Sequence, residues 1–236
     1  MASLPEPPVA LFCVAGGTSG EVGFLSDISA DDLRRCYERN YLSAAFITQA
    51  MLKRWLASPT LLKTRHVIFT SSTAAFLGIP GYAAYTPTKT AIRALADTLR
   101  QEVLLYDKKQ KIHIHCTFPG TIYTDEFFEE QKRKPDLTKA LERTDREGTG
   151  MSAEQVASQT IRGLQRGHFF ITTDSATRML LNNMRGPSPR DTLVLDRIFG
   201  LLGSCVWPGL QRLWDRKTRE YGAGQAQGHL RDSKAL

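Results

Sequence analysis

The chain has 236 residues and a mass of 26.4 kDa, with 42% hydrophobic and 23% charged residues. This is ordinary globular usage at a length that supports one domain with a sizeable core, and it excludes a wholly disordered or fibrous chain. A formal net charge of +7 and an isoelectric point of about 9.3 require that nucleic acid and an anionic membrane surface both be weighed as partners.

Met1 to Pro8 has no basic start and no apolar stretch leading to a small-residue cleavage site, so no signal peptide is expected. Pro8 to Ala15 is an apolar run of strand length stopped by Gly16-Gly17, and it reads as a strand buried on both faces. Ser29 then precedes Ala30, Asp31 and Asp32, an N-cap followed by acids in a first turn. Apolar positions recur down to Trp55, so one long helix is expected there. His66 to Ser71 is a second strand, and Tyr85 to Leu105 a second helix with Ala91, Ile92, Leu95, Leu99 and Val103 on one face. Ile112 to Phe118 is a third strand, ended by Pro119-Gly120. Ser152 with Gln155 three residues on forms a capping pair that opens another helix, and Phe169 to Thr173 makes a short fourth strand. Strands alternating with long helices give parallel units whose right-handed crossovers wind a sheet. The fold class is therefore α/β, with a Rossmann-like doubly wound parallel sheet over residues 9–175.

Beyond that domain, Arg185 to Arg190 is a turn-rich break, and Ile198 to Leu210 is an apolar stretch of 13 residues, short of the roughly 20 a bilayer span needs. Two readings of residues 176–221 stand. In one the segment lies in a membrane interface, with Trp207 and Trp214 at headgroup depth and Arg212, Arg216, Lys217 and Arg219 against anionic lipid. In the other it is a helix docked on the domain or on a second copy. The polar residues 222–236 read as a disordered tail. The remaining basic residues, among them Lys132, Arg133, Lys134, Arg143 and Arg146, are interleaved with acids and accompany no recognition helix, so they read as solvated faces and nucleic acid is not expected. Cys13, Cys36, Cys116 and Cys205 show neither a CxxC pair nor metal-ligand spacing, so no metal and no disulfide is expected, and a reducing compartment fits. His113 and His115 alternate along a strand and read as packing.

The chemistry concentrates on Tyr85-Thr-Pro-Thr-Lys89, which opens a helix and stacks the phenol and the ammonium on one face of its first turn. An ammonium beside a phenol favours the phenolate, and the expectation is a tyrosine whose pKa is lowered enough for it to act as general acid or base. Pro87 is tolerated because the N–H groups of a first turn have no helical partner. Ser72 lies at the end of a buried strand 13 residues before Tyr85, where open α/β sheets place their ligand sites. Its hydroxyl can hold an oxygen that Tyr85 protonates. Ser71 is the rival by adjacency, but strand alternation sends it to the other side.

With these residues the sequence resembles the short-chain dehydrogenase/reductase family, in consistent order from about Ala10 to Thr173. Ala15-Gly16 resembles the family's turn after its fourth strand, with Cys13 and Val14 where asparagines are usual. Ser72, Tyr85 and Lys89 match the catalytic trio. Asn40 matches the helix asparagine whose backbone carbonyl holds a water in the proton relay, and Pro119, Gly120 and Thr124 match the stretch lining the nicotinamide. The resemblance implies NADPH as cofactor, held by Ala15, Gly16, Tyr85, Lys89, Pro119, Gly120 and Thr124, and possible homo-oligomers through the two long helices. A narrower resemblance, to the fungal 3-ketodihydrosphingosine reductases, rests on Ser72 to Tyr85, Gly167 to Asp174, Ser188-Pro189-Arg190 and the C-terminal apolar stretch. It implies a long-chain keto-amine lipid as substrate and the cytosolic face of the endoplasmic reticulum membrane as location. A catalytically inactive docking protein and a reductase of a soluble ketone or steroid are the alternatives.

Gly16 to Gly23 has the glycines of a dinucleotide loop, but the last follows Gly20 by three residues rather than two, and no helix begins before Ser29. From Gly20 to Ser72 there are 52 residues, room for one helix and one strand, whereas further βαβ repeats take roughly 30 residues each. The expectation is an incomplete sheet without the segment that seats the pyrophosphate and the 2′-phosphate, with an exposed edge and weak NADPH binding.

Overall fold

The computed structural model describes residues 6–18, 20–142 and 150–232. Arg143 and Arg146, assigned from sequence to solvated faces, lie outside these residues, as do the last four residues of the tail. Four strands, β1 (Ala10–Cys13), β2 (Arg65–Thr70), β3 (Ile112–Phe118) and β4 (Phe170–Thr172), form one parallel sheet in the order β1-β2-β3-β4. The α/β class follows, with β3 at its expected bounds, β2 of the expected length but one residue earlier, β1 two residues shorter at each end and β4 one residue shorter at each end.

The helix that connects β1 to β2 is continuous but not uniform. α1 (Ala30–Tyr37) passes into a π-helical turn over Glu38–Leu42 and then into α2 (Ser43–Ala57). Ser29 and Asp32 close its N-terminus reciprocally, each side chain bonding the other's backbone N–H. α3 (Tyr85–Glu102) connects β2 to β3, buries Ile92, Ala96 and Leu99, and ends in a short 3₁₀ turn. Alternation along β3 sends Ile112, Ile114, Cys116 and Phe118 into the core with Trp55, Val67, Phe69 and these α3 residues.

Thr117 points the other way, where its hydroxyl meets that of Thr160 on α6 (Ala153–Gln165) at 3.2 Å. Ile171 packs on the same helix so closely that a Cβ on Gly163 would lie 2.7 Å from it. The sheet is thus covered on both faces, by α2 and α3 on one and by α6 on the other. Because the strands step in one direction, the β3–α6–β4 connection has the opposite hand to the first two. This departs from the uniformly right-handed crossovers expected. It is also the longest connection, with α4 (Asp125–Arg133) and α5 (Asp136–Glu142) inserted ahead of α6. The face that α6 covers also carries the histidines. His115 Nδ1 sits 2.7 Å from the His168 carbonyl and so must donate, which leaves Nε2 to accept from His66 Nδ1 at 3.1 Å. Burial holds the His115 pKa down at about 4, in keeping with this neutral pair.

α7 (Ser175–Asn183) is capped by Asp174 and buries Leu181 in the core. α8 (Leu193–Asp232) then crosses it. A Cβ on Gly200 would lie 3.0 Å from the Asn182 carbonyl oxygen, and one on Gly203 3.1 Å from that of Met179, so the two backbones touch. α8 corrects two expectations. It is 40 residues long rather than a 13-residue stretch, because the polar residues after Gln211 are good helix formers and carry it on. It also continues through Asp232, into the segment expected to be disordered, although Gly222, Gly224 and Gly228 are poor helix formers. The helix over Leu193–Gly224 is long and apolar enough to cross a membrane by length and composition: it contains an 18-residue stretch with a mean hydropathy of 1.4, 11% of it buried. Val194, Ile198, Leu201, Leu202 and Val206 are all exposed.

β1 is the sheet's edge, and among the described residues no strand pairs with its outer side. Phe12 is 46% exposed there.

Candidate active site

Ser72, Tyr85 and Lys89 converge at the C-terminal ends of β1 to β3. Ser72 caps the 3₁₀ turn after β2, its Oγ accepting from the Ala74 N–H at 3.1 Å. It also reaches the Tyr85 phenol, and this is the influence that favours the phenolate. Ser71 is buried and donates its hydroxyl to the Lys89 carbonyl at 2.8 Å, so it ties α3 to β2 and is not free for a ligand. The alternation argument thus separates the two serines in the direction expected.

Lys89 is 3% exposed, with Nζ donating to the Thr70 carbonyl at 3.2 Å and lying 5.5 Å from the centre of the Tyr85 ring. Burial drives its pKa down to about 8. The Tyr85 phenol is driven up, first by burial and then by the charges of Glu130, Cys36 and Glu142. The expected lowering of the Tyr85 pKa is not what this arrangement gives: burial of the phenol dominates and the net shift is upward.

The widened π-helical turn swings Asn40 inward, where it is 1% exposed. Its Oδ1 accepts from the Gly17 N–H at 2.8 Å, and its Nδ2 donates to the carbonyls of Gly17 and Cys36, each at 2.9 Å. Asn40 thus pins the turn after β1 by its side chain. A Cβ on Gly16 would lie 2.7 Å from Asn40 Oδ1 and 3.2 Å from Lys89 Nζ, and its φ of +154° suits glycine, so the position has no room for a side chain. Ala15 beside it is exposed.

Pro119 and Gly120 follow β3. The Pro119 carbonyl accepts from the N–H and hydroxyl of Thr73, at 2.9 and 3.2 Å. Thr73 Oγ1 lies 2.6 Å from Thr177 Oγ1, which donates to Asp174 at 2.7 Å. Thr124 is the N-cap of α4, its Oγ1 accepting from the Phe127 N–H at 3.2 Å. Sequence reasoning missed the Thr73–Thr177–Asp174 chain: Asp174 and Thr177 form a local cap at the start of α7, but Thr73 joins them from 104 residues away.

It also missed an ionic cluster beside Tyr85. The buried Lys134 Nζ bonds Glu130 and Glu142, each at 2.6 Å, and Tyr82 donates its hydroxyl to Glu130 at 2.6 Å. Thr18 also bonds Glu130. Lys134 therefore corrects the solvated-face reading of the basic run: α4 turns it inward between two acids.

The residues fit one end of a dinucleotide. At Gly16 only backbone stands against the Lys89 ammonium, where a Cβ would lie 3.2 Å from Nζ, and Lys89 in turn lies beside the Tyr85 ring. For the diphosphate the fit fails among the described residues: the loop after β1 runs into a bridge between Gly23 and Tyr82, and no helix begins on it before Ala30.

Residues 9–135 match the family model described as short chain dehydrogenase. The chain is 36% identical to a 3-ketodihydrosphingosine reductase of Aspergillus fumigatus, over 94% of this chain and 63% of that protein. It is 37% identical to a 3-ketodihydrosphingosine reductase of Neurospora crassa, over 85% of this chain and 55% of the relative. The chain thus spans a little over half the length of these curated relatives. Among solved structures it superposes on a short-chain dehydrogenase from Streptomyces avermitilis with a TM-score of 0.57 at 19% identity, covering 86% of this chain and 70% of that one. A short-chain dehydrogenase from Burkholderia cenocepacia in complex with NADP gives 0.57 at 14% identity, covering 76% and 65%. The sheet order, the trio at the strand ends and the family match agree: the chain belongs to the short-chain dehydrogenase family.

Proposed function

We propose that this chain carries the catalytic half of a keto-lipid reductase that converts 3-ketodihydrosphingosine to dihydrosphingosine in sphingolipid synthesis. The convergence of Ser72, Tyr85 and Lys89 on one point at the strand ends carries the reading. The relatives named for that reaction support the substrate, and a substrate carbonyl oxygen would accept from the Ser72 and Tyr85 hydroxyls, which already reach each other. Ser72 donates a hydrogen bond to that carbonyl and Tyr85 gives up its proton to the developing alkoxide. A phenol held protonated by burial is in the state a general acid needs. Lys89 stands beneath the pair and returns positive charge as the phenolate forms. Asn40 keeps the Gly16–Gly17 turn at the distance this requires.

NADPH is the cofactor of this reading, held at its ribose by Tyr85 and Lys89 with Gly16, Pro119, Gly120 and Thr124 around the ring, and it supplies the hydride when bound. On this reading the chain works at the cytosolic face of the endoplasmic reticulum membrane; the exposed apolar side of α8 supports a membrane contact, with Arg212, Lys217 and Arg219 available to anionic headgroups. The test is NADPH-dependent reduction of 3-ketodihydrosphingosine by the purified chain. Tyr85→Phe is expected to lower kcat at least a hundredfold while leaving the melting temperature within a degree or so. Turnover indifferent to that change would overturn the reading.

One observation favours a second reading: no helix begins on the loop after β1, so the diphosphate has no seat among the described residues. On this reading the chain is an inactive docking protein held at membranes by α8. NADPH titration separates the two, since saturable protection from proteolysis belongs only to the first.

A further inference from the structure

Between α8 and the domain runs a trough of about 470 Å³, lined by Gly78, Pro80, Leu141, Trp207, Trp214 and Thr218. Its size is in the range of small-molecule sites, roughly 300–1,000 Å³. The floor is the loop that joins the two catalytic oxygens: Gly78 comes six residues after Ser72, and Pro80 five before Tyr85. This loop is held firmly. Thr138 donates its hydroxyl to the Pro80 carbonyl at 2.7 Å, Gly81 takes a φ of +97°, and the Gly23 N–H bonds the Gly81 carbonyl at 3.0 Å. The roof is one stripe of α8, with Trp207 and Trp214 in edge contact at 5.6 Å. From Trp207 to Thr218 the helix rises about 16 Å. Farther along, Tyr221 meets Phe24 at 6.2 Å, next to Gly23, so α8 spans the loop from side to side.

Gln211, Asp215 and Arg219 rim the trough, while floor and roof carry indole, proline and leucine surface and no buried charge. Leu210 and Leu213 lie on the neighbouring faces of the same helix turns and are 37% and 38% exposed, so the lining is continuous with the helix's outer apolar side. A space roofed by two indoles, floored by the loop between the catalytic oxygens and bordered by the apolar side of α8, suits an aliphatic chain.

We propose that this trough seats the unbranched hydrocarbon chain of the substrate whose carbonyl lies between Ser72 and Tyr85, with Trp207 and Trp214 setting the chain length accepted. The inference rests on the reductase reading for the identity of the head, and on the trough alone for the tail. Gly78 offers a direct handle: a Cβ there meets nothing within 4 Å, and its φ lies outside the range that strains other residues. Gly78→Leu therefore fills the trough without disturbing Ser72 or Tyr85.

The experiment titrates the full chain, in detergent below its micelle onset, with an amino-alcohol amphiphile carrying bromine in the middle of a long chain. Bromine quenches indoles on contact. Trp55, buried and donating to the Pro8 carbonyl at 2.8 Å, serves as the internal reference that stays bright. Saturable quenching of Trp207 and Trp214 is expected, weakened about tenfold in Gly78→Leu, with a loss of about fourfold in competition for each methylene removed from an unlabelled competitor. Should Gly78→Leu misfold, Trp207→Ala, which removes part of the roof, is expected to weaken quenching of Trp214 in the same direction. Quenching equal for short and long chains, unchanged in both variants, or present only when vesicles are added would overturn the proposal, the last pointing to bilayer contact. Saturable binding with no ketone reduced would sink the reductase reading and leave the trough standing; reduction whose chain-length profile ignores Gly78→Leu would do the reverse.

Discussion

Replacing Lys89 by methionine measures what the catalytic ammonium costs the fold. The side chain is 3% exposed, and burial lowers its pKa from 10.5 to about 8. At 1.36 kcal/mol for each tenfold in proton affinity, that drop is roughly 3 kcal/mol against the folded state near neutral pH. Methionine keeps the unbranched stem and removes the charge, but it takes from the Thr70 carbonyl its donor at 3.2 Å, a loss of about 1 kcal/mol. The variant is therefore expected to be about 2 kcal/mol more stable than the unaltered chain at about pH 7. The proton is the disfavoured partner in the folded state, so between about pH 8 and 10.5 the unfolded chain holds more protons than the folded one. Stability of the unaltered chain accordingly rises with pH through that window, and the advantage of methionine shrinks by the same amount. Urea unfolding followed by circular dichroism at several pH values from neutral upward measures both slopes. A variant less stable near neutrality, or an advantage that does not fall with pH, would refute the reasoning. The expected outcome, a gain in stability with loss of turnover, is the mark of a residue kept for chemistry.

Asn40→Ala removes three hydrogen bonds from a buried site and is expected to cost about 2–3 kcal/mol, with amide exchange at Gly17 accelerating more than in the strands; equal acceleration everywhere would show that the turn is not what it holds. Gly81→Ala puts a side chain at a φ of +97° and against the Thr138 hydroxyl, and should lower stability by about 1–3 kcal/mol, visible as a fall in melting temperature. Arg185 is 1% exposed and bonds Asp191 at 2.6 Å and Asp196 at 2.9 Å; Arg185→Ala leaves those carboxylates short of charge and should cost about 3–5 kcal/mol in chemical denaturation, more than Arg178→Ala, whose guanidinium is partly exposed.

The elements legible in the sequence are those with local causes. β2 and β3 are apolar runs between breakers, Ser29 and Ser152 carry their capping partners within three residues, and the Tyr85–Lys89 spacing is a property of a single helical turn. What was not legible is settled at a distance. α4 reads as a solvated charge run because nothing in Asp125–Arg133 reveals that Glu130 meets Tyr82 and that the next residue, Lys134, is buried against Glu142. The handedness of the third connection depends on which face α6 covers, and that is decided by Thr160 and Gly163 meeting Thr117 and Ile171. The Tyr85 pKa turned on burial, which a pair spacing cannot report. The length of α8 escaped because an apolar count stops at Leu210, whereas helix propensity does not.

The backbone contact at Gly200 and Gly203 makes α8 a lever with α7 as its fulcrum. With backbone against backbone there, and Asn183 donating across the contact to Ser204 at 2.8 Å, a tilt of α8 carries α7 along. The first turn of α7 holds Thr177, which touches Thr73, the neighbour of Ser72. Torque applied to the outer helix, whether from lateral pressure or from a change in the thickness of whatever surrounds it, thereby arrives at the serine hydroxyl through two helices and one hydrogen bond.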